Sequence, residues 1–125
     1  MRHILLIILS FAFTLSVQAQ IANKIFTLIK NQDTEGIISM ADMEIDLCLL
    51  DDQNIYNRDE AKQKLRSFFT AHQPVSCEAV HTGKSKERKS AYILGKMKTN
   101  DGSVYRVFVY ANARNKLMEL RIDEW

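Results

Sequence analysis

SAYILGKMKT (residues 90–99), NDG (100–102), SVYRVFVYA (103–111) and KLMELRIDE (116–124) read as three successive antiparallel strands, and the rest of the chain is placed around them. The middle segment, from Val104 to Ala111, is apolar or aromatic at nearly every position, so it belongs inside a sheet with cover on much of both faces. Asp101-Gly102 between two strand patterns is a two-residue hairpin signal, because glycine adopts the positive φ such turns require. Pairing Asn100 with Ser103 then sets Met97 opposite Arg106, Gly95 opposite Phe108 and Ile93 opposite Tyr110 on one face. Lys96 opposite Val107 and Leu94 opposite Val109 fall on the other face. In the last strand Met118, Leu120 and Ile122 alternate with Glu119, Arg121 and Asp123, so one of its faces is wet.

Upstream, Ile21, Ile25, Leu28 and Ile29 form one stripe of an amphipathic helix. Asp33 or Thr34 caps a second, short helix through Ala41, weakened by Gly36. Met43 to Leu50 alternates and reads as a half-buried strand with Ile45, Leu47 and Leu49 inward, followed by a turn at Asp51-Asp52-Gln53-Asn54. Asn57 with Glu60 three residues on resembles a capping box for a third helix. Its stripe of Ala61, Leu65, Phe68 and Phe69 should be the main cover of the sheet. Pro74 stops that helix near His72, and an extended segment follows from Val75 to Thr82. The expectation is an α+β fold: a curved, mainly antiparallel sheet of about five strands on about three helices from the N-terminal half.

The first residues, MRHILLIILSFAFTLSVQAQ, have a basic tip, an apolar run from Ile4 to Val17 and a small-residue finish at Val17-Gln18-Ala19, the pattern of a secretory signal peptide. The run is too short and too interrupted for a membrane-spanning helix, which needs about 20 largely apolar residues. Residues 1–19 are therefore expected to be removed, leaving residues 20–125 as one exported domain, periplasmic or extracellular, without stable membrane insertion. Seventeen basic and fifteen acidic residues nearly balance, which gives no footprint for a nucleic-acid partner. The one basic run, between Lys84 and Lys89, lacks interleaved aromatics and reads as a solvated loop. Cys48 and Cys77 are in no CxxC pair and complete no zinc spacing with His72 or His81, so neither a metal nor a cofactor is expected. They are also expected not to bond to each other, with Cys48 on the polar side of its strand and Cys77 toward the core.

The order helix, helix, strand, helix and then four strands resembles the nuclear transport factor 2-like (cystatin-like) cone. The runs IYNRDEAKQKLRSFFTAHQP, VHTG, SAYILG, VYRVFVY and MELRIDE are similar to a family of small secreted bacterial domains of unknown function within that superfamily. The resemblance implies the cone fold and export, and it brings no catalytic residues to carry over.

Arg106 is the sharpest oddity, a charge between Val104 and Phe108 on an apolar strand; it suits an anion, a carboxylate from a neighbouring strand, or a surface position on its long stem. Tyr56, Tyr92 and Tyr110 are the phenols available to a pocket, and tyrosine in strands also packs as core or edge. His81, in VHTG, has the pKa range of a general base and reads equally as a structural histidine. The favoured reading is a non-catalytic cone that binds a small amphipathic or anionic ligand, or an envelope protein, on the face of Ile93, Met97, Arg106, Phe108 and Tyr110 under the third helix. The alternative is a small acid/base isomerase or lyase using His81 with a tyrosine or carboxylate. A homodimer is expected through the sheet's outer face, on a patch of Leu94, Val107 and Val109.

Overall fold

The computed structural model describes residues 24–84 and 90–125. The signal sequence with its boundary after Ala19, the start of the first stripe at Ile21, and most of the basic run lie outside the described residues. Helix α1 covers residues 24–30, α2 Thr34–Ser39 and α3 Arg58–Ala71. The strands are β1 (Ala41–Leu49), β2 (Asp52–Asn57), β3 (Pro74–Lys84), β4 (Ala91–Thr99), β5 (Val104–Ala111) and β6 (Leu117–Glu124). They form one sheet in the order β2-β1-β6-β5-β4-β3, antiparallel except for the β1–β6 pair. Register shifts at Ala79/His81, Pro74/Ser76 and Tyr110/Ala111 add the bulges that curve such a sheet. Among the described residues no helix is long and apolar enough to cross a membrane.

The helix starts follow their caps. The Asp33 side chain accepts from the Gly36 amide at 2.9 Å at the head of α2. Asn57 accepts from the Glu60 amide at 2.9 Å and donates through Nδ2 to Glu60 Oε1 at 2.9 Å, a capping box with asparagine in place of serine or threonine. The expected stripe of α3, Ala61, Leu65, Phe68 and Phe69, is buried throughout. Phe68 meets Phe69 and Tyr105 edge-on, which seats the helix on β5. In α1 the buried residues are Ile25, Phe26 and Ile29.

Three expectations need correction. Asp52–Asn57 is a strand, so the sheet has six strands; the turn is at Leu50-Asp51, with Leu49 paired to Asp52 and Leu50 held at a φ of 57°. Asp52 and Tyr56 face α3: Tyr56 Oη donates to Asp52 Oδ1 at 2.6 Å, and Lys64 Nζ lies 3.1 Å from Asp52 Oδ2.

The second correction is the β4–β5 register. The loop has three residues, Asn100-Asp101-Gly102, with Gly102 at a φ of 86° after a turn closed by its amide on the Thr99 carbonyl at 3.1 Å. Asp101 Oδ1 accepts from Thr99 Oγ1 at 2.5 Å and from the Ser103 amide at 3.0 Å; these bonds, the Thr99 hydroxyl foremost, hold its carboxyl below its ordinary range. Lys96 therefore pairs with Arg106, Gly95 with Val107 and Leu94 with Phe108. A slip of one residue sends every β5 side chain to the face opposite the one expected relative to β4.

The third correction follows from the second. Val107 and Val109 point to the helices and are buried, so the patch of Leu94, Val107 and Val109 on which the expected dimer rested does not exist. Arg106, Phe108 and Tyr110 do not share a face with Ile93 and Met97 either. Gly95, expected opposite Phe108, instead has the Phe26 ring of α1 over its bare backbone, and a Cβ there would run into that ring and the Glu78 carbonyl. Cys48 and Cys77 are free and both buried. Cys48 is not a solvent-facing residue: its thiol, 3.2 Å from the Leu50 carbonyl, is covered on the face away from the helices.

Candidate functional site

Two strips of the sheet decide what the molecule can do. On the helix side, Ile45, Leu47, Met97, Val107, Leu120 and Ile122 pack against Ile25, Ile29, Leu65 and Phe69. Besides the Tyr56–Asp52–Lys64 contacts, this side adds a polar contact at the rim, where Tyr105 Oη lies 3.1 Å from His72 Nδ1 and the Phe68 ring lies tilted against the imidazole with centres 4.7 Å apart.

The outer face is built differently. Across the strands its residues fall into rows fixed by the pairing: Lys96–Arg106–Asp123, then Leu94–Phe108–Arg121–Cys48, then Tyr92–Tyr110–Glu119–Asp46. Leu94, Arg106, Phe108, Glu119, Arg121, Asp123 and Trp125 line a broad, open groove of about 810 Å³. Trp125, 57% exposed, forms one rim; Lys96 Nζ lies 5.1 Å and the Arg106 guanidinium 6.0 Å from its ring centre. At the other end Tyr92 stacks on Phe108 with centres 6.1 Å apart, and His81 Nε2 lies 3.4 Å from Tyr92 Oη.

The cations of the groove differ in their partners. Arg121 lies between Glu119 Oε1 at 3.7 Å and Asp123 Oδ2 at 3.9 Å. Among the described residues, Arg106 has no carboxylate within ion-pair distance, although Asp123 is its strand neighbour. Burial pushes the Cys48 thiol above its ordinary range, and the nearby Asp123 charge adds to this, so it is a poor nucleophile.

Of the residues singled out in the sequence, Arg106, Tyr110, Tyr92 and His81 come together on the outer face. Tyr56 does not join them. It is buried at the β2 edge of the helix side, where its bond to Asp52 raises the phenol's pKa and lowers the carboxyl's. Sequence reasoning missed Trp125 and the Glu119-Arg121-Asp123 ladder as site residues, although the alternation of β6 had marked that ladder as a wet face. Among the described residues no three histidine, cysteine or carboxylate side chains cluster as metal ligands. The groove sets paired donors and acceptors around an apolar centre.

Comparison with known proteins bears on the fold. A DUF4783 family protein from Bacteroides uniformis ATCC 8492 superposes with a TM-score of 0.72 at 20% identity, covering 82% of this chain and 95% of that one. A protein of unknown function with a cystatin-like fold from Methylobium petroleophilum PM1 gives 0.65 at 12% identity, covering 86% and 74%. SalBIII, an epoxide hydrolase/cyclase-like enzyme in pyran ring formation in polyether salinomycin, gives 0.63 at 12% identity, covering 88% and 92%. At these identities the likeness establishes the fold alone, the α+β cone of the nuclear transport factor 2-like and cystatin-like proteins. No curated protein is similar in sequence. The family described as "Domain of unknown function (DUF4783)" matches residues 22–124, which include every helix and strand described above, and the chain belongs to it.

Proposed function

We propose that this protein is an exported, non-catalytic recognition domain, and that its recognition surface is the outer face of the sheet around Arg106. The N-terminal signal pattern supports export to the periplasm or beyond. The observation that carries the binding reading is Arg106, exposed and without an ion-pair partner among the described residues, in a groove with Leu94, Phe108 and Trp125. A cation set beside aromatic and aliphatic surface suits a ligand or partner that presents an anionic group next to an apolar one.

The acid/base alternative has one contact in its favour, His81 beside Tyr92. Both side chains are exposed at the edge of the sheet, so a reaction there would proceed in water, without the enclosed surroundings that make positioned acids and bases effective. Recognition asks nothing of that kind.

Trp125 is the chain's only tryptophan, so its fluorescence reports the groove. Titrating dilute protein with decanoate, a carboxylate on an apolar chain, should shift the Trp125 emission. Arg106→Met should weaken that response about tenfold or more, the worth of a charge-assisted hydrogen bond. An unchanged titration in the variant would contradict the assignment of Arg106.

A further inference from the structure

Resting on the reading of the outer face as a recognition surface, we infer that its ligand is an oligosaccharide carrying a uronic acid, with one sugar stacked on the rings of Tyr92 and Phe108 and a carboxylate held at Arg106. The two rings form a platform. Gly83 pairs with Tyr92 across the β3–β4 ladder, and a Cβ built at Gly83 would lie almost equally close to Cζ, Cε1 and Oη of the tyrosine. Only a point over the ring face is that near to all three atoms, so Tyr92 lies flat on bare backbone and, 36% exposed, turns its other face to solvent. Phe108 continues the surface, its ring inclined by only 21° to that of Tyr92. Flat rings facing solvent suit the C–H face of a sugar, whose weakly positive hydrogens meet the negative face of the π-system.

The polar residues beside the platform fit hydroxyl groups. One strand over, Glu119 stands beside Tyr110, Arg121 beside Phe108 and Asp123 beside Arg106. Arg121 lies 3.7 Å from Glu119 and 3.9 Å from Asp123, beyond hydrogen-bond length, so all three keep donors or lone pairs to offer. Adjacent sugar hydroxyls pair with a carboxylate or a guanidinium two bonds at a time, whereas a methylene chain laid there would desolvate the three charges and pair none of them. The uronate has its own place. Arg106 and its strand partner Lys96 have no carboxylate within ion-pair distance among the described residues. Arg106 is two residues from Phe108, about 7 Å along β5, within the reach of a carboxylate on the stacked sugar or the next one. Trp125, whose amide bonds the Val104 carbonyl, adds a further ring roughly 14 Å along the strand from Phe108, a span that several linked sugars cover and a single one does not.

The test compares two hexasaccharides by isothermal titration calorimetry and Trp125 fluorescence: one from hyaluronan, with a glucuronate on alternate sugars, and maltohexaose, which is neutral. At roughly 150 mM salt, where exposed charges more than about 8 Å apart are screened, wild type should bind the uronate chain about tenfold or more tightly than the neutral one. Arg106→Met should remove that preference. Tyr92→Leu keeps apolar bulk over Gly83 but no flat face, and it should weaken binding of the uronate chain about tenfold or more, while Tyr92→Phe should bind it as wild type does. Circular dichroism melts check that the variants fold, and the comparison of the two sugars on wild type needs no variant. No response to either hexasaccharide at millimolar concentration, equal affinity for both, or a Tyr92→Leu variant that binds as wild type does would overturn the inference. If the sugars fail while decanoate still shifts Trp125 in an Arg106-dependent way, only the oligosaccharide falls. If neither is seen, the outer-face reading falls with it.

Discussion

Phe69→Ala should remove about 3–5 kcal/mol of stability, the typical loss for a fully buried phenylalanine in a core that cannot close around the gap. Phe69 is 1% exposed and meets Phe68 with ring centres 5.9 Å apart, on the face of α3 that lies against the sheet. A domain of about a hundred residues has about 5–15 kcal/mol in total, so the variant should be marginal at room temperature. Urea denaturation measures it. A loss below 1 kcal/mol would mean that α3 is not the helix that covers the sheet.

Cys77 should make the fold sensitive to alkali. Burial, with the Glu78 charge adding to it, pushes its thiol up to about 12 from an ordinary 9.0. The folded chain therefore keeps a proton that the unfolded chain gives up above pH 9, and stability falls between pH 9 and 12 as the unfolded thiolate is favoured. Between pH 9 and 11 this one group accounts for about 2 kcal/mol. Cys77→Ala starts less stable because it leaves a gap, but it should lose about 2 kcal/mol less than wild type over that interval. Comparing the two chains cancels the tyrosines and lysines that titrate in the same range. Parallel stability curves would show that the Cys77 thiol is not held in apolar surroundings.

Much of this fold was legible because its signals were periodic. The stripe of Ala61, Leu65, Phe68 and Phe69, the Asn57–Glu60 cap and the stop before Pro74 each have one physical reading, and each is found as read; the alternation of β6 holds for Leu120 and Ile122, but at the strand's start Leu117 is buried and Met118 exposed, next to the register shift at Tyr110/Ala111. What failed was local and small. Asp52 to Asn57 is a polar edge strand with one buried residue, Tyr56, so no alternation announces it. Its turn uses Leu50 at positive φ, where a glycine or asparagine would have been visible.

The candidate site was lost to a single residue in the 90–111 hairpin. Asp101-Gly102 is compatible with a loop of two residues or of three, and the choice rests on Asp101 accepting from Thr99 and Ser103, a bond pattern that spacing does not encode. With β5 apolar at nearly every position, neither register exposes an obviously wrong set, except at Arg106. Its charge favours the exposed side, and that residue, weighed by itself, held the correct answer to the register. Trp125 was legible only as the residue after β6; its place over Lys96 and Arg106 depends on how far β6 runs beside β5.

Arg106 belongs to the open face of the sheet and Val107 to the covered one. Maleimide labelling of native Arg106→Cys and Val107→Cys, read by intact mass against wild type at protein concentrations low enough to keep copies apart, tests it most directly. Arg106→Cys should take up one extra label within minutes, and Val107→Cys none until denaturant is added. Rapid labelling of Val107→Cys with protection of Arg106→Cys would contradict it.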